Sequence, residues 1–141
     1  MTSESKYPDT YCYFYAEGFA CEPEEITKLL KIQPTEFRRK GDAGRNGLPV
    51  KVNSWKIQDD SPRQDHFFEN HLKSILAKIE PSTPAILQLS EHCSVGINCV
   101  GYFEGCNPGF EIEPDLLKRL GALKLTLGFD LYTFPESEEN T

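Results

Sequence analysis

Residues 36–51, EFRRKGDAGRNGLPVK, have the residue types of an anion-binding loop. They hold five of the 15 basic residues of the chain, and their two acidic residues leave a local net charge of +3. The glycines form no phosphate-binding motif, because no Gly-Lys-Ser/Thr follows and the segment leads through Pro49 into a predicted strand. Two alternatives stay open, a solvated connection or a loop that binds a carboxylate, a phosphate or an acidic partner. The candidate anion contacts are Arg38, Arg39, Lys40 and Arg45.

Five of the six tyrosines are predicted to share one face of a β-sheet. In the first predicted strand, tyrosines alternate with Cys12, Phe14 and Ala16, so the two sets point to opposite faces. Because tyrosine is amphipathic and enriched in interfaces, this face is either a contact surface or, if another element covers it, ordinary core. The candidate interaction residues are Tyr13, Tyr15, Tyr102 and Tyr132, and Tyr11 belongs to the same set.

The three histidines and five cysteines form no recognisable metal or catalytic motif. His66 and His71 are separated by about 140° around a helix, so they cannot bind one ion from one face. His92, Cys93 and Cys106 could bind a metal only if folding brings them together. No nucleophile elbow or serine–histidine arrangement is recognisable. The sequence therefore predicts no catalytic residue, no metal and no cofactor, and it favours a binding or interaction module over an enzyme.

Length and composition are those of a single water-soluble domain. The chain has 141 residues, of which 38% are hydrophobic and 26% charged, which is enough for one ordinary core. No run approaches the roughly 18 apolar residues of a membrane helix, and the first residues lack the features of a signal peptide. Cysteines that are odd in number and contain no C-x-x-C pair suit reduced thiols. We therefore expect a cytoplasmic protein that does not contact the membrane.

The net charge of −7 bears on the choice of partner. An acidic chain is poorly suited to bind a nucleic-acid backbone, which needs concentrated lysine and arginine. A homodimer, another protein partner or a small anionic or nucleotide ligand is expected instead. A small acidic module would also suit an inhibitor or immunity protein that masks the basic surface of a toxin.

The segments that position these candidates alternate between strand and helix patterns. Aromatic residues predict a first strand over 11–19, and Pro23 opens a helix. Ser61-Pro62 predicts the start of a long helix, whose apolar spacing continues to Ile79. Further strands are predicted over 50–57, 94–103 and the closing LKLTLGFDLYTF, with a short helical turn in PAILQLSEH. We expect a folded domain over 11–134 between a disordered N-terminus, 1–10, and an acidic disordered tail, 135–141.

An internal echo indicates a duplicated strand–helix–strand unit. The pattern Gly-Phe-x-x-Glu-Pro begins at Gly18 and again at Gly109, and similarly placed apolar residues follow each copy. Two split βαβ units related by approximate twofold symmetry build a ferredoxin-like sheet. The predicted fold is therefore α+β, with an antiparallel four-stranded sheet, helices on one face, and the helix over 61–79 as an addition.

Several short motifs occur in order along the chain: ITKLLKIQPT at 26–35, KGD at 40–42, Trp55, HLKSIL at 71–76 and LKLTLGFDLY at 123–132. Together they resemble the bacterial domain-of-unknown-function family numbered 4279. The resemblance covers residues 11–134 and implies a compact α+β domain that is usually a whole protein. It implies no established catalytic residues, so the function stays open.

Overall fold

The computed structural model describes residues 6–105 and 107–136, in which one β-sheet packs its inner face against four α-helices. Of the predicted disordered segments, residues 1–5 and 137–141 lie outside these residues, as does Cys106, whereas Asp9 and Thr10 belong to the first strand. The strands are β1 (Asp9–Glu17), β2 (Glu36–Arg38), β3 (Ser54–Gln58), β4 (Ser94–Glu104) and β5 (Thr126–Phe134). The helices are α1 (Pro23–Leu30), α2 (Phe68–Ile79), α3 (Thr83–Leu89) and α4 (Pro114–Ala122), with a 3-10 turn at Glu80–Ser82.

The sheet has five strands in the order β2-β3-β1-β4-β5. The first four strands of this order pair antiparallel, whereas β4 and β5 are parallel. The predicted α+β class is confirmed, but the prediction of four antiparallel strands is wrong. The strand β2 has three residues inside the charged segment, too few for a recognisable alternation. Because α4 carries the chain back along the sheet after β4, β5 can pair with β4 in the same direction.

The two echo units occupy the sheet differently, so the predicted ferredoxin-like duplication is not confirmed. Since β1 and β2 are both antiparallel to β3, they run parallel with β3 between them, whereas β4 and β5 are direct neighbours. The echo nevertheless marks two similar helix starts. Gly18 and Gly109 both have positive φ angles, 84° and 63°, and Pro23 and Pro114 are the first residues of α1 and α4.

The helix predicted from Ser61 begins at Phe68 instead. The Ser61 amide donates to the Asp59 carboxylate at 3.1 Å, and the chain remains in a loop until Phe67. This prediction was wrong because the serine and proline signals of a helix start also suit a turn. The predicted apolar face of the helix is confirmed, since its five members are buried: Phe68, Leu72, Ile75, Leu76 and Ile79.

The core lies between the inner face of the sheet and the helices. Trp55 of β3 is fully buried, and its indole N–H donates to the Thr27 hydroxyl on α1 at 3.0 Å. Cys12 and Cys99 face each other across β1 and β4 as free thiols with their sulfur atoms 3.3 Å apart. This packing fixes the strands, and thereby the side chains on the opposite, helix-free face.

The helices of the described residues are short. The longest, α2, has 12 residues, whereas a bilayer-spanning helix needs about 20 mostly apolar ones. Within residues 6–105 and 107–136, no helix has the length and apolar character needed to cross a membrane.

Candidate functional site

The helix-free face of the sheet forms a cleft of about 500 Å³. We call it the sheet cleft. Its floor comes from β1, β3, β4 and β5, and one wall comes from the segment between β2 and β3. The two features that the sequence singled out, the basic segment and the tyrosine face, therefore meet in one concavity whose volume is typical of small-ligand sites. The lining includes Tyr11, Tyr13, Tyr102, Tyr132, Arg38, Arg45, Lys51, Lys56 and Asp130.

The tyrosines reach the cleft because β1 alternates as predicted. Cys12, Phe14 and Ala16 are fully buried on the inner face, whereas the tyrosines between them are only partly buried. Tyr102 of β4 is paired in register with Tyr132 of β5, and their rings stack with centroids 4.9 Å apart and planes inclined by 11°. No helix of the described residues covers this face, and its tyrosines are all at least partly exposed to solvent.

Tyr15 lies beside the sheet cleft and not in it. With Tyr13 and Asn98 it lines a smaller cavity of about 220 Å³. The Asn98 side-chain amide donates to the Tyr13 hydroxyl at 3.0 Å. Of the four predicted interaction residues, Tyr13, Tyr102 and Tyr132 thus share the main cleft, and Tyr15 extends the same face.

Three phenols on the tyrosine face, those of Tyr11, Tyr15 and Tyr132, have raised pKa values. Burial raises the pKa of Tyr11, and the hydrogen bond to the Asp130 carboxylate raises the pKa of Tyr132. Burial also raises the pKa of Tyr15. Because phenols ordinarily ionise near pH 10, these groups stay protonated at neutral pH. The Tyr132 hydroxyl donates to Asp130, whereas a phenol without a carboxylate partner can donate to an anionic ligand.

Two cations rest on the tyrosine rings. The Arg63 guanidinium lies 4.2 Å from the centre of the Tyr11 ring and also binds both Asp9 carboxylate oxygens, at 2.6 and 2.9 Å. The Lys56 ammonium lies 4.8 Å from the centre of the Tyr13 ring. Such contacts hold positive charge against an aromatic surface, so the face is less acidic than the net charge of the chain implies.

The basic loop follows a defined path. Its two arms are joined by hydrogen bonds from the Gly41 amide to the Val50 carbonyl, at 2.9 Å, and from the Val50 amide to the Asp42 carbonyl, at 2.7 Å. Gly41 and Gly47 have φ angles of 94° and 72°, a region that favours glycine. The glycines at these two positions therefore allow the turns of the loop.

Two of the four predicted anion contacts, Arg39 and Lys40, are not part of the cleft lining. The Arg39 guanidinium bonds Glu22 at 2.9 Å and also pairs with Glu24 on α1. Lys40 donates through its backbone amide to the Asn53 side chain, and it does not line the cleft. Arg38 does line it, with its guanidinium 3.0 Å from the Glu36 carboxylate.

Three cations of the cleft lining, Arg45, Lys51 and Lys56, have no carboxylate partner among the described residues. The sequence analysis did not count Lys51 among the anion contacts. It also missed Lys56, although Lys56 alternates with Trp55 and Ile57 and so had to face the tyrosine side. The cleft lining contains four cations, Arg38, Arg45, Lys51 and Lys56. It contains three acidic residues, Glu17, Glu36 and Asp130, so its formal net charge is +1.

A second polar cluster is buried under the helices, where His71 has no solvent exposure. Its Nδ1 lies 2.7 Å from the Asp59 carboxylate, and its Nε2 lies 2.7 Å from the Asp65 carbonyl oxygen. Burial by itself lowers the pKa of His71. The two acceptors raise this pKa by more than burial lowers it, so it lies above the ordinary value of a histidine. The Thr10 hydroxyl lies 2.9 Å from the same Nε2. The sequence analysis missed this cluster.

The Thr10–His71–Asp59 arrangement has the residue types of a hydrolytic triad but not its environment. All three residues are at least nine-tenths buried, and the Thr10 hydroxyl also lies 3.0 Å from the Arg63 carbonyl. With both ring nitrogens facing acceptors, His71 is a protonated double donor and not a general base. The cluster fastens the loop before α2 to β1.

Two of the three residues of the conditional metal site, His92 and Cys93, lie in the described part of the chain. In the described part of the chain, no three His, Cys, Asp or Glu side chains are grouped so that they could hold a metal ion. Burial raises the pKa of the Cys93 thiol, which disfavours the thiolate that binds metals. Cys106 lies outside the described residues, so a site that includes it stays untested.

Comparison with known proteins gives one result. Searches of curated proteins and of solved structures returned no match. A family model matches residues 8–134, which include all five strands and all four helices. The chain therefore belongs to the family described as a domain of unknown function, DUF4279.

Proposed function

We propose that this protein is a binding module that holds a small organic anion in the sheet cleft. The observation that carries the proposal is the convergence of Arg45 and Lys51 with the tyrosine face in one cavity of about 500 Å³. A loop that only connects two strands does not require Arg45 and Lys51 to lie beside the tyrosines of the sheet. This geometry therefore favours the anion-binding alternative for residues 36–51.

The cleft offers the two kinds of contact that an organic anion needs. Arg45 and Lys51 supply charged donors, and charge-assisted hydrogen bonds are stronger than neutral ones. The phenols supply neutral donors and flat apolar surface, with Val50 and Val100 as further apolar lining. A ligand with both an anionic group and a carbon skeleton would use the whole lining, whereas an inorganic ion would use one wall only.

We predict that the double variant Arg45→Ala plus Lys51→Ala binds organic anions at least tenfold more weakly than the wild type. Each charge-assisted hydrogen bond contributes about 1.5–3 kcal/mol, so the loss of two exceeds a factor of ten. The measurement is isothermal titration calorimetry with citrate, pyrophosphate and ADP as probes, chosen after a thermal-shift screen.

The matched control for this test is Arg39→Ala plus Lys40→Ala. This control also removes two positive charges from the same loop, but the Arg39 and Lys40 side chains lie outside the cleft lining. The control is expected to keep affinity within about threefold, the size of a long-range screened effect. Equal losses in both variants, or no binding of any probe by the wild type, would refute an anion site in the cleft.

A protein partner on the same face is the second candidate, and the observation in its favour is the exposure of the tyrosines. Tyr132 is 42% exposed, and tyrosine is enriched at protein interfaces. A second copy of the chain could bury this face across a twofold axis. An immunity- or inhibitor-type role, expected from the acidic charge alone, gains no further support from the described residues.

For this candidate we predict that the wild type is a dimer at micromolar concentration and that Tyr13→Glu plus Tyr102→Glu is a folded monomer. The introduced carboxylates would face each other across the interface and repel. Light scattering measures the mass, and circular dichroism verifies the fold. Tyr13→Phe plus Tyr102→Phe keeps the rings and should remain dimeric, whereas a monomeric wild type excludes this use of the face.

A further inference from the structure

We infer that the ligand of the sheet cleft is a nucleoside polyphosphate, with its base against Tyr102 and Tyr132 and its phosphates at Arg45 and Lys51. The inference rests on the proposed function and adds the class of ligand. Its basis is the separation of the aromatic and cationic ends of one cleft, together with the distribution of charge between those ends.

The sheet order sets the length of the ligand. The stacked pair lies on β4 and β5, and the basic loop joins β2 to β3 at the other side of the sheet. From midway between β4 and β5 to midway between β2 and β3 are three strand spacings, about 14 Å at 4.8 Å each. Inorganic phosphate cannot contact both ends. An extended nucleoside diphosphate can, because Arg45 and Lys51 have long side chains that reach inward.

The β4–β5 end suits a nucleobase. The Tyr102 and Tyr132 rings stack on each other, so each ring keeps one outer face on which a base can stack, and Tyr132 is 42% exposed. Bases stack on tyrosine regardless of their identity. Asp130 lines the same end and accepts a hydrogen bond from Tyr132, and its carboxylate can also accept from the amino group of adenine, guanine or cytosine.

The distribution of charge orients the ligand. Asp130 repels phosphate from the β5 end, whereas Arg45 and Lys51 at the loop end attract it. Glu17 also lines the cleft, and Glu36 is neutralised by Arg38, so Lys56 and the two loop cations outnumber the remaining acids. A single strand of nucleic acid would need a longer basic track than this, because each phosphate it brings must be neutralised.

The test is calorimetric titration of the full chain with ADP, GDP, CDP, UDP, pyrophosphate and adenosine. At least one amino-bearing diphosphate is expected to bind at least tenfold more tightly than pyrophosphate or adenosine. CDP should exceed UDP, which lacks the amino group. Tyr132→Ala should weaken the diphosphate about tenfold and leave pyrophosphate unchanged, whereas Tyr132→Phe, which keeps the ring, should bind the diphosphate like the wild type.

Three outcomes would overturn the nucleotide inference. They differ in whether the proposed anion-binding function is refuted as well. If pyrophosphate binds as tightly as every nucleotide, the cleft is an anion site and only the nucleotide inference fails. If a ten-nucleotide single strand binds more than tenfold more tightly than ADP, the ligand is a polymer. If the wild type binds none of these probes and no other organic anion, the proposed function fails as well.

Discussion

The variant His71→Ala is expected to lower the free energy of unfolding by about 3–5 kcal/mol, the range found when one partner of a buried ion pair is removed. His71 and the Asp59 side chain have no solvent exposure, and 2.7 Å separates His71 Nδ1 from the Asp59 carboxylate. Without the imidazolium, that carboxylate keeps only the amide donors of Cys12 and Ser61. Urea denaturation followed by circular dichroism measures the loss.

The control for this variant is His92→Ala. His92 is exposed, and surface substitutions usually change stability by no more than about 0.5 kcal/mol. If His71→Ala destabilises the protein no more than the control does, then His71 is not the buried double donor described above. The contrast separates the loss of this cluster from a general effect of removing a histidine.

The pH dependence of stability gives an independent test of the charge on His71. Its folded pKa lies above the unfolded value of 6.5, so the folded state binds the proton more tightly. The resulting stabilisation is fully present below pH 6.5 and is lost as the pH rises through the folded pKa. The difference in unfolding free energy between wild type and His71→Gln should therefore shrink over that interval. A difference that grows with pH would show a lowered pKa instead.

The sequence predicted the buried faces of β1 and α2, because that property is local. It did not do so for β5, where Phe129 and Leu131 are exposed although their alternation predicted burial. Alternation assigned the two faces of β1, and the spacing of the apolar residues assigned the buried face of α2. The order and direction of the strands in the sheet are not local properties, because they depend on contacts between distant parts of the chain. Alternation in β5 is the same whether β5 joins β4 parallel or antiparallel, so the antiparallel prediction had no support from the strand itself. The repeated Gly-Phe-x-x-Glu-Pro pattern also led to the inference of a duplicated unit. Two similar helix starts do not require that their flanking strands have similar positions in the sheet.

The basic segment and the tyrosine face could each be predicted from the sequence. That they line one cleft could not be predicted. The basic segment and the tyrosines are visible as composition and alternation. Whether Arg39 or Arg45 faces the sheet depends on the path of the loop and on Glu22 and Glu24, which lie on the preceding helix start and capture Arg39. That ion pair is a tertiary contact, so no local pattern in the sequence favours Arg45 or Lys51 over Arg39.

The parallel pairing of β5 with β4 makes Gly96 a position where any side chain is expected to be costly. Gly96 is paired in register with Thr126, and a Cβ added to it would lie 2.6 Å from the Thr126 carbonyl oxygen and 2.6 Å from the Tyr15 hydroxyl. The hydroxyl can move with its side chain, but the carbonyl belongs to the backbone of β5. Relief of the clash therefore requires β5 to shift away from β4.

We predict that Gly96→Ala lowers the free energy of unfolding by about 1–3 kcal/mol, the usual cost of overpacking. Gly121→Ala is the matched control, because an added Cβ there meets nothing within 4 Å and the residue lies in α4. Alanine is favoured over glycine inside a helix by about 0.5–1 kcal/mol, so the control should be neutral or more stable than the wild type. The same substitution thus has opposite expected signs at two sites, and thermal or urea unfolding distinguishes them. Because the backbone part of the clash at Gly96 exists only if Thr126 is its neighbour, wild-type stability in Gly96→Ala would contradict the placement of β5 beside β4, and with it the position of Tyr132 in the sheet cleft.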